Sequence, residues 1–314
     1  MKQFFLLLLL VSLQTFAQQK EPDYNKVAIE SAKYWLDVDY VGDGLIGHKL
    51  DIHLPLNGKA PYPVIICIYG SAWKSNNAKA ATFTSGLGQR LLQEGFAVVS
   101  INHRSISDAI FPAQIQDVKA AIRFVRAKSA TFSLNPNFIG ITGWSSGGHL
   151  SALIGTTNNS RKSTIKGLEV DIEGSLGKFT QTSSSVNAVV EWFGPSDFLI
   201  MGDCGSEMKH NDHQSPESLV IGGPIQENKA KTALANPATY ADNQDPPFLI
   251  FHGNKDRIVP YCQSEKLYQR LQQEGVPSEL IIVPNGEHGP GVMIDKYYDQ
   301  KIMFFQNKLK SSKK

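Results

Sequence analysis

Cysteine is scarce in this chain. Three cysteines in 314 residues, an odd number, exclude a disulfide framework as the organiser of the fold. Cys67 lies in an apolar run and is expected as a small core hydrophobe. Cys204 and Cys262 fall in loop or helix-start positions, where an oxidising compartment permits a bridge without requiring one. Net charge is equally small. The 31 basic side chains offset 29 acidic ones and leave +2, which gives no case for a nucleic-acid partner or an anionic membrane surface. The basic end, KLKSSKK from Lys308, reads as a solvated tail.

Long apolar runs are missing too, with one exception. Phe4 to Val11 is unbroken and apolar behind Lys2, and Thr15-Phe16-Ala17 follows. The run is too short to cross a bilayer. Its pattern is that of a signal peptide, residues 1–17, cleaved near Ala17. No cysteine sits at the cleavage region, so no lipid anchor is expected. The mature chain is expected to be exported to a periplasmic or extracellular space without membrane insertion. Residues 18–33 are polar and expected as a flexible leader. There are no internal repeats, and the 41% hydrophobic content is ample for one large core over residues 34–310.

What is present is a regular alternation of strands and helices. Candidate strands are 34–40, 48–54, 63–69, 96–101, 138–142, 187–193, 247–252 and 279–284. Leu50, Ile52 and Leu54 alternate with Asp51 and His53, as in a half-buried antiparallel hairpin. The later strands are apolar throughout and read as buried on both faces. Helices are expected over 78–94, from Pro112 through about 127, from Ser146, over 260–274 and over 290–308. In the second of these, Ile115, Val118, Ile122 and Val125 share one face, with Lys119, Arg123 and Arg126 on others. An antiparallel start followed by βα units implies an α/β protein, a mostly parallel eight-stranded sheet with helices on both faces. Two excursions, 156–186 and 197–240, leave from the carboxyl ends of strands, the edge where such sheets bind ligands.

The chemistry concentrates at Gly143-Trp144-Ser145-Ser146-Gly147. This G-x-S-x-G follows a strand and opens a helix, the setting of a nucleophile elbow. Ser145 is expected in a strained, positive-φ turn that lifts its hydroxyl above the sheet. The Ser146 amide, at the helix N-terminus, then points at a developing oxyanion. A serine hydroxyl needs a base, and this architecture supplies Ser, acid and His in that chain order. His288, in the Gly-flanked loop after the last strand, is the candidate base. Asp256, in His252-Gly253-Asn254-Lys255-Asp256, is the candidate acid. Its rival is Asp197 in Gly194-Pro195-Ser196-Asp197, which also suits a helix cap. The loop Tyr69-Gly70-Ser71-Ala72-Trp73 is expected to add an oxyanion donor, from the amide of Ser71 or Ala72. Many esterases carry His-Gly-Gly-Gly there; losing that histidine removes the loop's usual support.

Other candidates are weaker. His149 follows the elbow and reads as a structural helix residue. Asp203, Cys204, His210, Asp212 and His213 cluster in one excursion, but at no standard zinc spacing. Trp73, Trp144, Trp192 and Phe198 lie near strand ends and suit either a pocket wall or the core. The expected chemistry needs no metal and no organic cofactor.

The stretches YGSAWKSNN (69–77), SINHRS (100–105), FPAQIQDVKAAIRFVRA (111–127), GWSSGGHLSALIGTT (143–157), WFGPSDF (192–198), SPESLVIGGP (215–224), DPPFLIFHGNKDRIVP (245–260) and GEHG (286–289) together carry a resemblance. From about His48 to His288 the chain resembles α/β-hydrolases of the feruloyl/acetylxylan esterase-like group, the BD-FAE family. The resemblance implies the α/β-hydrolase fold and a Ser145–His288–Asp256 triad. It also implies ester substrates, often acetyl or feruloyl groups on plant polysaccharide. A serine peptidase of the prolyl-oligopeptidase type is the alternative. So is a carbohydrate-binding protein that keeps the fold without the chemistry. The acyl group, the alcohol and the oligomeric state are open at this level.

Overall fold

Along the strand Tyr62–Ile68 successive side chains point to opposite faces. Val64, Ile66 and Ile68 enter one hydrophobic cluster, and Ile65 and Cys67 enter another. The sheet is therefore buried from both sides, as its unbroken apolar strands demand. The computed structural model describes residues 28–158 and 160–312. The expected signal peptide and most of the leader lie outside the described residues.

Eight strands form the main sheet: β1 (Lys33–Asp39), β2 (Lys49–Leu54), β3 (Tyr62–Ile68), β4 (Ala97–Ile101), β5 (Leu134–Trp144), β8 (Ala188–Trp192), β9 (Phe248–Gly253) and β10 (Ser278–Val283). Their order is β1-β2-β4-β3-β5-β8-β9-β10. Only β1–β2 and β2–β4 pair antiparallel; the rest pair parallel. The remaining two, β6 (Lys162–Ile165) and β7 (Leu168–Asp171), make a separate hairpin inside the first excursion. The helices are α1 (Ala81–Thr84), α2 (Leu87–Gln93), α3 (Ala113–Ala127), α4 (Ser146–Thr156), α5 (Pro216–Ile221), α6 (Lys229–Ala235), α7 (Cys262–Gln273) and α8 (Asp295–Ser311). α2 and α8 bury Leu87, Leu91, Ile302 and Phe305 on one face. α3, α4 and α7 bury Ile115, Val118, Leu153 and Leu267 on the other. This is the α/β-hydrolase arrangement that the sequence implies.

Two expectations are corrected here, and the polar face of α3 is accounted for. The helix expected over 78–94 is two helices, broken at Gly86, whose φ of 77° is left-handed. The β2 strand is not half-buried. Asp51 and His53 are covered, Asp51 by an ion pair to Lys79 at 3.0 Å and His53 by the Phe83 ring at 4.7 Å. The polar face of α3, which the pattern leaves unassigned, is buried in part. Lys119 and Arg123 are buried beneath the first excursion, both paired with Glu173. Lys119 also donates to the Thr157 carbonyl at 3.0 Å. A hydrophobic period marks one buried face of a helix and says nothing about what covers the others.

Candidate active site

Ser145 caps the start of α4 with φ 54° and ψ −123°, a region that costs a non-glycine residue of order 1–3 kcal/mol. Two backbone bonds hold it there. Its amide donates to the Trp192 carbonyl of β8 at 2.9 Å, and its carbonyl accepts from His149 at 2.9 Å. The glycine at 147 has a steric cause: a Cβ there would overlap the carbonyl oxygens of Ile68 and Tyr69 at the end of β3. Only glycine lets the helix start come so close to the neighbouring strand.

The loops after β9 and β10 are joined to one another. Asn254 donates its amide to the Val283 carbonyl at 3.1 Å, and Lys255 donates to the Gly286 carbonyl at 2.8 Å. The Asn254 side chain accepts the Asn285 amide at 2.7 Å. A Cβ on Gly253 would overlap the Gly286 carbonyl. This close seam carries Asp256 and His288 to the same place. His288 Nδ1 lies 2.7 Å from Asp256 Oδ2, and His288 Nε2 lies 2.9 Å from Ser145 Oγ. The proton roles follow from a carboxylate that only accepts. Nδ1–H donates to Asp256, so the Nε2 lone pair accepts the Ser145 hydroxyl proton.

Asp256 has a fully buried side chain, while His288 is 18% exposed. Burial raises the Asp256 carboxyl, but hydrogen bonds from His252 and His288 outweigh it and hold the group at about 2. Its other oxygen accepts the amides of Ile258 and Val259, each at 2.9 Å. The Phe193 ring, on a residue with φ 40°, stands edge-on to His288 at 4.8 Å.

The loop after β3 turns tightly. The Ser71 carbonyl accepts the Lys74 amide at 3.0 Å, and Ala72 and Trp73 between them have φ 51° and 56°. Two adjacent non-glycine residues at positive φ mark a held, strained turn. The expected donor pair is narrowed by one bond. The Ser71 amide already donates to Ser146 Oγ at 2.9 Å, so it is not free for an oxyanion. The amides of Ala72 and Ser146 donate to no other described residue. Where a histidine often supports this loop, the Tyr69 hydroxyl donates to the Ser75 carbonyl at 2.9 Å. The Tyr69 ring stacks on His103 at 5.0 Å.

The other candidates go elsewhere. Asp197 caps the 3-10 turn 198–204, accepting from Leu199 at 3.2 Å and from Asn236 at 2.8 Å. His149 is buried, donates from Nε2 to the Ala235 carbonyl at 2.8 Å, and is kept neutral by burial, which lowers it to about 4. Trp192 is not a pocket wall. It is fully buried, stacked on Phe251 at 4.2 Å, and donates to Thr142 at 3.1 Å. Trp73 is also core, 2% exposed and edge-on to His149 and Phe198. Trp144 is partly exposed and flanks Ser145.

The Asp203–His213 cluster disperses. Cys204 forms a disulfide with Cys262. His210 approaches Ser206 at 2.8 Å and the Ile258 carbonyl at 3.1 Å. Asp203 does not join them, and His213 pairs with Asp212 at 3.3 Å on the surface. Ser206 and Glu207 bond to Arg257 and Ile258. The second excursion is thereby fixed against the loop that carries Asp256. Beside it a hollow of about 250 Å³ is lined by Lys74, Met208, His210, Asp212 and Gln214. A larger hollow, about 650 Å³, lies at the opposite end of β9 and β10, against Phe248, Ser278 and Met303.

Three polar residues behind the site were missed from sequence: Glu191, His252 and Ser264. Glu191 and His252 had one signal, a charged or polar side chain inside an otherwise apolar strand, as in NAVVEWF and PFLIFH; Ser264, in the first turn of α7, had none.

Residues 50–271 match the family model described as BD-FAE. The chain belongs to the BD-FAE family. Among its relatives, the esterase LipQ of Mycobacterium tuberculosis is 31% identical over 229 residues, 72% of this chain and 50% of that protein. The acetylxylan esterase of Xylanibacter ruminicola is 28% identical over 224 residues, 70% of this chain and 40% of that protein. The chain thus spans about half the length of the curated relatives it matches. Among solved structures, a truncated carbohydrate esterase from gut microbiota is 47% identical with a TM-score of 0.87, covering 92% of this chain and 99% of that one. A bifunctional GH43-CE protein of Bacteroides eggerthii is 48% identical with a TM-score of 0.83, covering 88% of this chain and 35% of that one.

Proposed function

We propose that this BD-FAE member is a secreted serine carboxylic-ester hydrolase. Its proposed substrates are acetyl or feruloyl esters on plant polysaccharide, or related small esters. The observation that carries this is the unbroken chain Ser145–His288–Asp256, with contacts of 2.9 and 2.7 Å. Ser145 attacks the ester carbonyl while His288 takes its proton. The amides of Ala72 and Ser146 hold the oxyanion. His288 then protonates the leaving alcohol, and water releases the acid by the reverse steps. Asp256 holds the tautomer and stays ionised throughout. The names of the relatives favour a carbohydrate as the alcohol, and the apolar run before Ala17 supports export.

A panel of acetylated xylan, methyl ferulate and p-nitrophenyl esters of rising acyl length tests the assignment. Preferential release of acetate supports deacetylation, and preferential release of ferulate supports the aromatic acyl group. Turnover of an aminoacyl-anilide with none of the esters would overturn it.

A further inference from the structure

Asp256 Oδ2 faces two imidazoles. His288 lies on the serine side at 2.7 Å, and His252 Nε2 lies behind at 3.3 Å. His252, fully buried at the end of β9, donates from Nε2 to the Val259 carbonyl at 2.8 Å. The Val259 amide in turn donates to Asp256 Oδ1. Its other nitrogen, Nδ1, lies 2.7 Å from Ser264 Oγ, which lies 3.4 Å from Glu191 Oε2. Glu191 Oε1 accepts the Gly194 amide.

We propose that His252 is a positioning residue for the hydrolytic reaction, held by the buried Ser264 and Glu191 side chains so that its Nε2–H fixes Asp256 from behind. This step rests on the ester-hydrolase function proposed above.

The proton inventory supports it. Nε2 must carry hydrogen, because Val259 O can only accept. Nδ1 lies against Ser264 Oγ, which braces the ring from its other edge. The Ser264 hydroxyl in turn donates to Glu191 Oε2 at 3.4 Å. Glu191 is itself fixed by the Gly194 amide. Glu191 thus holds Ser264, Ser264 holds His252, and His252 holds the carboxylate that orients the catalytic base. The titratable groups facing His252 are Asp256 directly and Glu191 through Ser264. Phe193 covers the ring at 6.3 Å and also packs on His288, so both imidazoles share one apolar wall.

The test uses the full chain and the variants His252→Phe, His252→Gln and Ser264→Ala. Active sites are counted with a fluorophosphonate, and kcat and KM are read per active site on p-nitrophenyl acetate. His252→Phe is expected to lower kcat roughly 10- to 100-fold, as small misplacements of catalytic groups do, with KM within about twofold. Removing an N–H dipole from behind Asp256 leaves more negative charge for the His288 imidazolium, so the acid limb of kcat/KM moves to higher pH. His252→Gln, which keeps a donor, restores most of both. Ser264→Ala, remote from the serine, lowers kcat about 3- to 10-fold and remains readable if His252→Phe does not fold. An unchanged per-site kcat and pH profile in Ser264→Ala overturns the inference, whether or not His252→Phe folds. So does a loss confined to the count of active sites. A parent protein that neither reacts with the fluorophosphonate nor turns over esters overturns the hydrolase function itself, which is a distinguishable failure.

Discussion

The backbone amide of Ser71 donates to the side chain of Ser146 across 2.9 Å, 75 residues away in the chain. The bond joins the two segments that supply the candidate oxyanion amides, Ala72 on the turn and Ser146 at the helix start. Ser146→Ala deletes the acceptor and leaves the helix amide in place. We expect kcat on p-nitrophenyl acetate to fall about 3- to 10-fold with KM unchanged, the worth of one hydrogen bond. An unchanged kcat would show that the turn is held without it.

Ser145→Ala should lower ester turnover by several decades without unfolding the chain. The strained backbone adds a second, opposite effect. Ser145→Gly removes the hydroxyl and also the steric cost of φ 54°. Its melting midpoint should rise about 2 °C above that of Ser145→Ala, on the order of 1 kcal/mol of strain relieved. Equal midpoints by calorimetry would place the strain elsewhere.

Asp256 is held at about 2, below its ordinary value of 3.8. A depressed carboxyl stabilises the folded state fully above the ordinary value, and that contribution is lost as pH falls through about 2. Asp256→Asn should therefore flatten the acid end of the stability curve between about pH 4 and 2. It should also cut kcat by roughly 10⁴-fold through the wrong His288 tautomer. Urea melts at stepped pH, with parallel kinetics, read both.

Glu191 is displaced the other way, from 4.5 up to about 8. Its contribution to stability is fully present below 4.5 and is lost as pH rises through about 8. Glu191→Gln can accept from Gly194 and donate towards Ser264 while carrying no titratable proton. It should reduce the decline of stability between pH 5 and 8. A decline as steep as that of the unsubstituted chain would assign the slope to another group.

The Cys204–Cys262 bridge closes 58 residues and ties the second excursion to the start of α7, six positions past Asp256. In the chain-entropy account such a closure stabilises by about 4 kcal/mol. Reduction, or Cys204→Ser with Cys262→Ser, should lower the melting midpoint by several degrees. A greater loss of kcat/KM on polysaccharide esters than on p-nitrophenyl acetate would place the larger alcohol against the excursion. Equal losses on both substrates would mean that the bridge serves stability alone.

Much of this architecture could be read before any coordinates. The elbow, the acid loop and the base loop each announce themselves through glycines at strand ends, because close backbone approach admits few other residues. The pairing of β1 with β2 and the parallel order that follows come from period and connection rules. What stayed hidden shares one cause: sequence patterns report whether an element has a buried face, not what lies over it. Lys119 and Arg123 fall off the apolar face of α3, and nothing in the pattern says that the first excursion covers them. Trp73 and Trp192 look like pocket walls until the turn and the sheet enclose them. Ser71 looks like a free donor until Ser146 meets it. His252 and Glu191 sit in apolar strands, and no periodicity says that a polar side chain there has partners.

Strand β8 lies between β5, which leads to Ser145, and β9 with β10, which lead to Asp256 and His288. Asp256 and His288 ride on adjoining, hydrogen-bonded loops, while the hydroxyl stands beyond β8. The reach from imidazole to hydroxyl thus spans one hydrogen-bonded strand spacing, about 5 Å, on each side of β8, so a bulge that shifted β8 against its neighbours would alter that reach without touching a reacting atom.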